Sequence, residues 1–394
     1  MNQEIRRIIV AVLDGVGAGE LPDARYYGDE GSNTLANTAI AVGGLSLPSM
    51  QAMGLGNVTT IKGVAPCEAA SACWGRMNEA SPGKDTITGH WEMAGVVLQQ
   101  PFPTYPQGFP KEIISAFEAE IGIGTLGNYP ASGTTIIADL GAEHLRTRRP
   151  IVYTSADSVF QVAMHEEIYS IERQYEICTI ARSLLNGKNA VGRVICRPFI
   201  GSEGNFTRTE RRKDFPLDPP KTVLDDLVES GRTVHAIGKI YEIFNGRSIT
   251  FWDHTTNNAA HTAALLHAIR NSDCSLIFAN LEDFDMLYGH RNDPNGMALA
   301  LQTWDAALPE ILGELRPGDL FMITADHGND PTTPSTDHSR EYPFLLVTGP
   351  TLAAGSDLGI LNTYADIAAT VRDGFKLAPA EHGTSFLPAL MAPR

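Results

Sequence analysis

Two imidazoles and a carboxylate fall within thirteen residues: Asp326 and His327 in Thr324-Ala325-Asp326-His327-Gly328-Asn329-Asp330, and His338 in the pair Asp337-His338. One oxygen and two ring nitrogens make a mixed donor set that suits Mn, Fe or Zn. The plainer alternative is that Asp326 caps a turn and the histidines lie on the surface, because a short Asp/His pattern arises by chance in loops. Two other stretches carry the same kinds of donor. Asp14 opens Asp14-Gly15-Val16-Gly17, and Asp285 and His290 stand five residues apart in Asp285-Met286-Leu287-Tyr288-Gly289-His290. Six such side chains are too many of this mix for one ion, and they point to two.

A hydroxyl nucleophile is available in Gly83-Lys84-Asp85-Thr86-Ile87-Thr88-Gly89-His90-Trp91-Glu92. This stretch is polar and opens a short helix, expected over residues 91–97. A hydroxyl beside the free N–H groups of a helix start sits where a phosphate is stabilised. The plainer alternative is that Thr86 or Thr88 is an N-cap. A threonine hydroxyl is a poor nucleophile until a metal or a base takes its proton, and a pair of divalent ions does this while screening an incoming phosphate. Phosphoryl transfer needs positioning and charge stabilisation above all, which such a pair supplies.

The elements around these residues explain how they could meet. Residues 8–13 form a continuous apolar, β-branched run ending at Asp14, residues 275–280 a second run ahead of Asp285, and residues 320–323 a third ahead of Asp326. Such runs read as central parallel strands buried on both faces. In a parallel sheet the C-terminal strand ends share one edge, so residues far apart in sequence converge there. Strand and helix alternate again at 232–238, 257–270, 297–315, 344–348 and 363–375. A Gly-x-Gly follows the first strand, but no third glycine stands at the spacing a dinucleotide site needs.

Prolines interrupt this order twice, between Pro101 and Pro110 and between Pro216 and Pro220. Between them lies a stretch of different character: helices at 111–121 and 171–185, strands at 134–138, 151–154 and 192–196. The economical architecture is an α/β protein with a doubly wound, mostly parallel sheet core, in two parts at 1–100 and 219–394, and an inserted smaller α+β cap domain at 101–218.

Composition narrows the partners. With 394 residues, 43% hydrophobic and 19% charged, the chain has the make-up of an ordinary globular protein. Its net charge of −16 argues against nucleic acid or an anionic membrane as a partner. Five cysteines without a C-x-x-C pair fit reduced thiols in the cytoplasm, and the charged N-terminus leads into too short an apolar run for a signal segment. One region runs against the overall charge: residues 187–213 hold seven Lys and Arg against two Glu. A guanidinium binds a phosphate through two parallel hydrogen bonds, and Arg193 and Arg208 are the best placed to do so. The plainer alternative is a solvated basic face.

Together, Asp14-Gly15-Val16-Gly17, Lys84-Asp85-Thr86 with Thr88-Gly89-His90-Trp91-Glu92, Asp285 with Tyr288-Gly289-His290-Arg291, and Ala325-Asp326-His327-Gly328 with Asp337-His338-Ser339-Arg340-Glu341 resemble the phosphopentomutase family of the alkaline phosphatase superfamily. The resemblance covers nearly the whole chain. It implies an alkaline phosphatase-like core, a phosphorylated Thr86, one Mn ion held by Asp14, Asp326, His327 and the Thr86 oxygen, and a second held by Asp285, His290 and His338. It further implies pentose phosphate substrates and a sugar bisphosphate activator that primes Thr86. Arg193 and Arg208 become phosphate clamps, with Ser155 and Asp157 near the sugar hydroxyls and Lys239 a further contact. The donor mix alone would equally accept Zn or Fe. The same ligand set would also serve a metal-dependent phosphomonoesterase, or another phosphosugar or phosphoglycerate mutase. A phosphosugar-binding protein without activity would need Thr86 to be inert.

Overall fold

The computed structural model describes residues 4–155 and 158–391. The chain divides into two compact units, Met1–Gln100 with Pro219–Arg394, and Pro101–Asp218. The first segment contributes strands β1 (Arg7–Leu13), β2 (Gly17–Glu20) and β3 (Cys73–Met77). The second unit holds β4 (Leu126–Pro130), β5 (Ile151–Thr154), β6 (Val159–His165), β7 (Arg193–Ser202), β8 (Asn205–Arg208) and β9 (Lys213–Pro216). The chain then returns through β10 (Val234–Ile237), β11 (Phe251–Asp253), β12 (Leu276–Leu281), β13 (Asp319–Thr324), β14 (Glu341–Thr348) and β15 (Asp357–Leu361).

In the first unit the strand order is β11-β10-β12-β1-β13-β14-β3-β15, with β2 paired to β14. The run from β11 to β13 is parallel, and β14 is antiparallel to both its neighbours. Every residue of β1, β12 and β13 is buried, which is why these strands read as unbroken apolar runs. On one face Ile9, Ala11, Leu13, Ile277, Ala279, Phe321 and Ile323 pack against Leu301, Trp304 and Leu308 of the helix Pro294–Gly313. That helix starts at an Asp293 cap accepting from Gly296 N, with proline in the first turn where its missing N–H costs nothing.

In the second unit the order is β4-β5-β6-β7-β8, with β9 also paired to β7. One face is covered by the helices Lys111–Ile121 and Ile171–Leu184, which bury Phe117, Ile121, Ile177 and Ala181 against Phe160, Val162 and Val194. The other is covered by the helix Gly133–Thr147. This corrects the expectation of a strand at 134–138. The β-branched run Thr134-Thr135-Ile136-Ile137 suits a strand, but Ser132 caps Thr135 N and the buried positions 136, 137, 141 and 144 follow the helical period. A second correction concerns the nucleophile segment, whose helix runs Thr86–Met93 and so begins at Thr86, not at residue 91.

Candidate active site

Three adjacent strands deliver the acids. β12, β1 and β13 lie side by side with Leu13 opposite Leu281 and Val12 opposite Thr324, so the segments leaving their C-terminal ends emerge together. Asp14 directly follows β1, Asp326 is the second residue after β13, and Asp285 lies in the helical turn Phe284–Tyr288 beyond β12. All three are buried. Gly15 closes the space between them: its N–H donates to Asp326 Oδ1 at 3.1 Å, its φ is +76°, and a Cβ there would meet Asp285 Cβ at 3.2 Å. Glycine alone takes that backbone conformation without strain.

Asp14, Asp326 and His327 form one potential metal-binding group. His327 Nδ1–H donates to Gly328 O at 3.0 Å, which leaves the Nε2 lone pair facing Asp14 Oδ1 and Asp326 Oδ2, each at 3.4 Å. Neither oxygen has a hydrogen-bond partner among the described residues. Three lone-pair atoms this close repel one another unless a cation lies among them. The same pressure raises the His327 pKa: burial would lower it, but the charges of Asp326 and Asp14 outweigh burial. Asp326 is correspondingly drawn down to about 2, burial being overcome by His327 and His90.

A second group comprises Asp285, His327 and His338, so His327 belongs to both. His338 Nε2 is 3.3 Å from Asp285 Oδ1 and is buried without a hydrogen-bond partner. His290 approaches the other oxygen, Nε2 to Asp285 Oδ2 at 3.2 Å, with its Nδ1–H donated to Thr336 O at 2.7 Å. His290 is pushed up to about 9, burial being outweighed by its hydrogen bond and charge contact with Asp285. The His327 and His338 rings stand 4.0 Å apart. The donor set and its unpartnered buried atoms thus fit divalent cations on both sides of His327.

The nucleophile candidate sits at this junction. Thr86 Oγ1 is 3.2 Å from His327 Nε2. Asp85 caps the helix by accepting from Ile87 N and Thr88 N, each at 3.1 Å, so the cap is Asp85 and the Thr86 hydroxyl is left to face the imidazole. Gly89 lets the helix lie on the β13 loop, since a Cβ there would be 2.3 Å from Asp326 O.

The sequence pattern of the Metalloenzyme superfamily matches residues 6–379. A relative named Phosphopentomutase from Caldanaerobacter subterraneus subsp. tengcongensis is 55% identical over 387 residues, covering 98% of this chain and 98% of its own. Another of that name from Dictyoglomus thermophilum is 56% identical over 387 residues, covering 98% of this chain and 99% of its own. The chain belongs to the phosphopentomutase family. A Leishmania mexicana phosphoglycerate mutase structure, 12% identical with a TM-score of 0.50 over 97% of each chain, shares the fold.

Other residues expected from the phosphopentomutase resemblance lie in both units. Lys239 Nζ is 3.6 Å from Asp14 Oδ2 and 3.4 Å from Glu282 Oε2. Burial alone would weaken its hold on a proton, but Asp14, Asp285 and Glu282 hold the ammonium above its ordinary range. In the second unit Ser155 follows β5, and Asp157 lies outside the described residues. Arg193 opens β7 opposite Pro216 and pairs with Asp214 at 3.5 Å. Arg208 ends β8 opposite Phe199, six residues further along β7. It lines a cavity of about 560 Å³ with Arg197, Arg212 and Thr134. The structure therefore gathers Arg208 with Arg197 and Arg212, which sequence reading had counted as charge only, while Arg193 lies outside that cavity lining and shares Asp214 with Arg212.

Three further buried residues of this phosphopentomutase-family site had no assigned part in the sequence reading. His90 Nδ1 is 2.8 Å from Thr86 O and 3.2 Å from Asp326 Oδ2. Asn280 Nδ2 is 3.0 Å from Asp14 Oδ2, and Asn329 Nδ2 donates to Asp285 Oδ1 at 2.7 Å. A fourth, Arg340, fixes the loop ahead of Thr86 by donating to Glu79 O at 3.0 Å, Ser81 O at 2.9 Å and Gly83 O. Among the described residues no helix is long and apolar enough to cross a membrane.

Proposed function

We propose that this protein is a phosphopentomutase that interconverts the 1-phosphate and 5-phosphate of ribose or deoxyribose, with Thr86 as its nucleophile. The observation that carries the reading is the 3.2 Å approach of Thr86 Oγ1 to His327 Nε2, between two acid–imidazole groups, in a chain of this family. Asp14, Asp326 and His327 are assigned to one metal, and Asp285, His290 and His338 to the other, with His327 near enough to serve both. Two Mn ions, or Zn in their place, would supply charge screening at the phosphate and acidify the Thr86 hydroxyl.

The working form of the enzyme carries a phosphoryl group on Thr86, put there by a sugar bisphosphate. The free hydroxyl of the pentose phosphate attacks that phosphorus: its O–P bond forms, the Thr86 O–P bond breaks, and the hydroxyl proton leaves to a base. A pentose 1,5-bisphosphate results. Transfer of the other phosphoryl group back to Thr86 releases the isomerised product and restores the enzyme. Ser155, Asp157, Arg193, Arg208 and Lys239 are assigned to the sugar and its remote phosphate. Such a substrate is a small soluble anion, and we place the enzyme in the cytoplasm with no nucleic acid or membrane partner.

The test is to load the protein with Mn, prime it with a pentose or hexose bisphosphate and supply ribose 1-phosphate. Ribose 5-phosphate with negligible inorganic phosphate is the expected product, and intact mass should show one phosphoryl group lost in Thr86→Ala. Release of inorganic phosphate as the main product would mean a phosphomonoesterase and reject the mutase reading.

A further inference from the structure

Behind the acid–imidazole groups lies a pair of polar side chains, both fully buried, that reaches the nucleophile and two of the acids at once. His90 is on the same helix as Thr86, and its ring packs 5.7 Å from that of Phe278. Asn280 is on β12, one residue before the strand's end. Their hydrogen-bond inventory fixes both orientations. His90 Nδ1 faces only acceptors, Thr86 O at 2.8 Å and Asp326 Oδ2 at 3.2 Å, so that nitrogen carries the proton. Nε2 must then accept, and the donor in reach is Asn280 Nδ2 at 3.2 Å. The amide nitrogen has two hydrogens, and the second is directed at Asp14 Oδ2, 3.0 Å away. The reverse amide orientation would turn the Asn280 oxygen on the Asp14 carboxylate, acceptor against acceptor.

We propose that His90 and Asn280 act as one positioning pair, holding the Thr86 carbonyl and Asp14 in register, with Asp326 in close polar contact, through a single His90 tautomer protonated on Nδ1. Each hydrogen bond in the chain sets the polarity of the next: Asp14 accepts from Asn280, His90 accepts from Asn280, and Thr86 accepts from His90. Outer partners of this kind orient metal-binding carboxylates and are worth about 10–100-fold in metal affinity when removed. Here the same pair also ties the nucleophile's own backbone to the acids, so it couples the spacing of Thr86 Oγ1 to the cation sites. The inference rests on the proposed assignment of Asp14, Asp326 and Thr86.

The decisive measurement uses the wild-type protein loaded with Mg as a diamagnetic ion. With ¹⁵N-labelled histidine, two-bond correlations distinguish the neutral tautomers, and His90→Asn identifies the His90 signals. The expected result is a proton on Nδ1 and none on Nε2; a His90 protonated on Nε2 overturns the proposal. Mn affinity by chelator competition and steady-state kinetics complete the test. Asn280→Leu keeps the volume but removes both donated hydrogens, and should weaken Mn about 10–100-fold and lower kcat with little change in KM. The His90 proton should stay on Nδ1, where Thr86 O and Asp326 Oδ2 still face it. In the double variant with His90→Asn the losses should not add, since the two residues act through each other. Additive losses, or Mn affinity unchanged in Asn280→Leu, would overturn the pairing. The parent assignment fails differently: Asp14→Asn would then bind Mn as wild type does.

Discussion

Thr86 Oγ1 stands 3.2 Å from His327 Nε2, and that imidazole nitrogen is also 3.4 Å from an oxygen of Asp14 and of Asp326. One ring nitrogen therefore marks the point where nucleophile and acids meet. Thr86→Ala removes the oxygen without touching the donors around it. Turnover should fall by at least about 10³-fold, in keeping with loss of a covalent nucleophile, while Mn affinity stays within several-fold of wild type. Thr86→Ser keeps a hydroxyl and should retain measurable turnover. Comparable activity in Thr86→Ala and wild type would remove Thr86 from the reaction.

Gly89 separates two opposing effects. By helix propensity alone, Gly89→Ala should stabilise the helix Thr86–Met93 by about 1 kcal/mol. The added Cβ, however, would lie 2.3 Å from Asp326 O and 3.0 Å from Asp326 Cβ, both on a buried backbone segment that cannot move aside cheaply. The clash should win. The variant is expected to lose about 1–3 kcal/mol, the usual range for overpacking, and most of its activity, because the helix that carries Thr86 must lift. An unchanged or raised melting temperature would show that the helix is not pressed on Asp326.

The parallel core was legible because β1, β12 and β13 are buried on both faces and so read as uninterrupted apolar runs. Strand order was not. That β1 lies between β12 and β13 is a tertiary fact, and without it the closeness of Asp14 to Asp285 and Asp326 is only a possibility of topology. The helix Gly133–Thr147 was hidden by local propensity, its first turn being the β-branched residues Thr134 to Ile137. Asn280 and His90 were hidden for another reason: a lone amide in an apolar strand, or one imidazole in a polar segment, carries no pattern until its partners are known. Arg197 and Arg208 could not be joined without the hairpin register that sets Arg208 opposite Phe199.

Glu341 gives the protein a pH dependence of its own. Its carboxylate accepts from Thr34 N at 2.8 Å, Thr34 Oγ1 at 2.9 Å and Ser339 Oγ at 2.7 Å, yet it is fully buried, and among the described residues no cationic side chain pairs with it. Burial dominates these donors and pushes it up to about 7. A carboxyl raised on folding binds its proton more tightly in the folded state, so its stabilising share is complete below about pH 4.5 and is lost as pH rises to about 7. The loss over that window is about 3 kcal/mol. Glu341→Gln cannot titrate. Denaturant unfolding at pH 5 and pH 8, with chelator present, should show a stability difference between variant and wild type that changes by that order; a constant difference would mean Glu341 is ionised throughout.

Cations should stabilise the fold as well as permit turnover. Asp14 Oδ1, Asp326 Oδ2 and His338 Nε2 are buried without hydrogen-bond partners among the described residues, and ions bound at the two groups relieve all three. Binding to the folded state alone adds about 2.7 kcal/mol when free metal is 100 times Kd. Melting temperature should therefore rise with Mn concentration and fall on chelation, together with activity. In Asp326→Asn the Mn-dependent rise should shrink. A melting temperature indifferent to Mn and chelator would argue that these atoms meet no ion.

The two candidate phosphate clamps are not equivalent. Arg208 shares its cavity with Arg197 and Arg212, and burial together with the Arg212 charge lowers the pKa of Arg197, so this side of the second unit holds positive charge that no carboxylate fully offsets. Arg212 is partly offset by two 2.7 Å contacts with Asp214, and Arg193 is 3.5 Å from that same carboxylate. Glu210 also lines that cavity, but the three guanidinium groups there outnumber it, and a phosphate dianion gains most where cations crowd and least where an acid already pairs with the base. Arg208→Ala should accordingly raise KM for ribose 5-phosphate about 10–100-fold, the range expected for losing a charge-assisted hydrogen bond of about 1.5–3 kcal/mol. Arg193→Ala should raise it by less, and Arg208→Lys, which keeps the charge but loses the paired geometry, should fall between. Steady-state kinetics at fixed ionic strength reads all three, and a larger effect at Arg193 than at Arg208 would reverse the assignment.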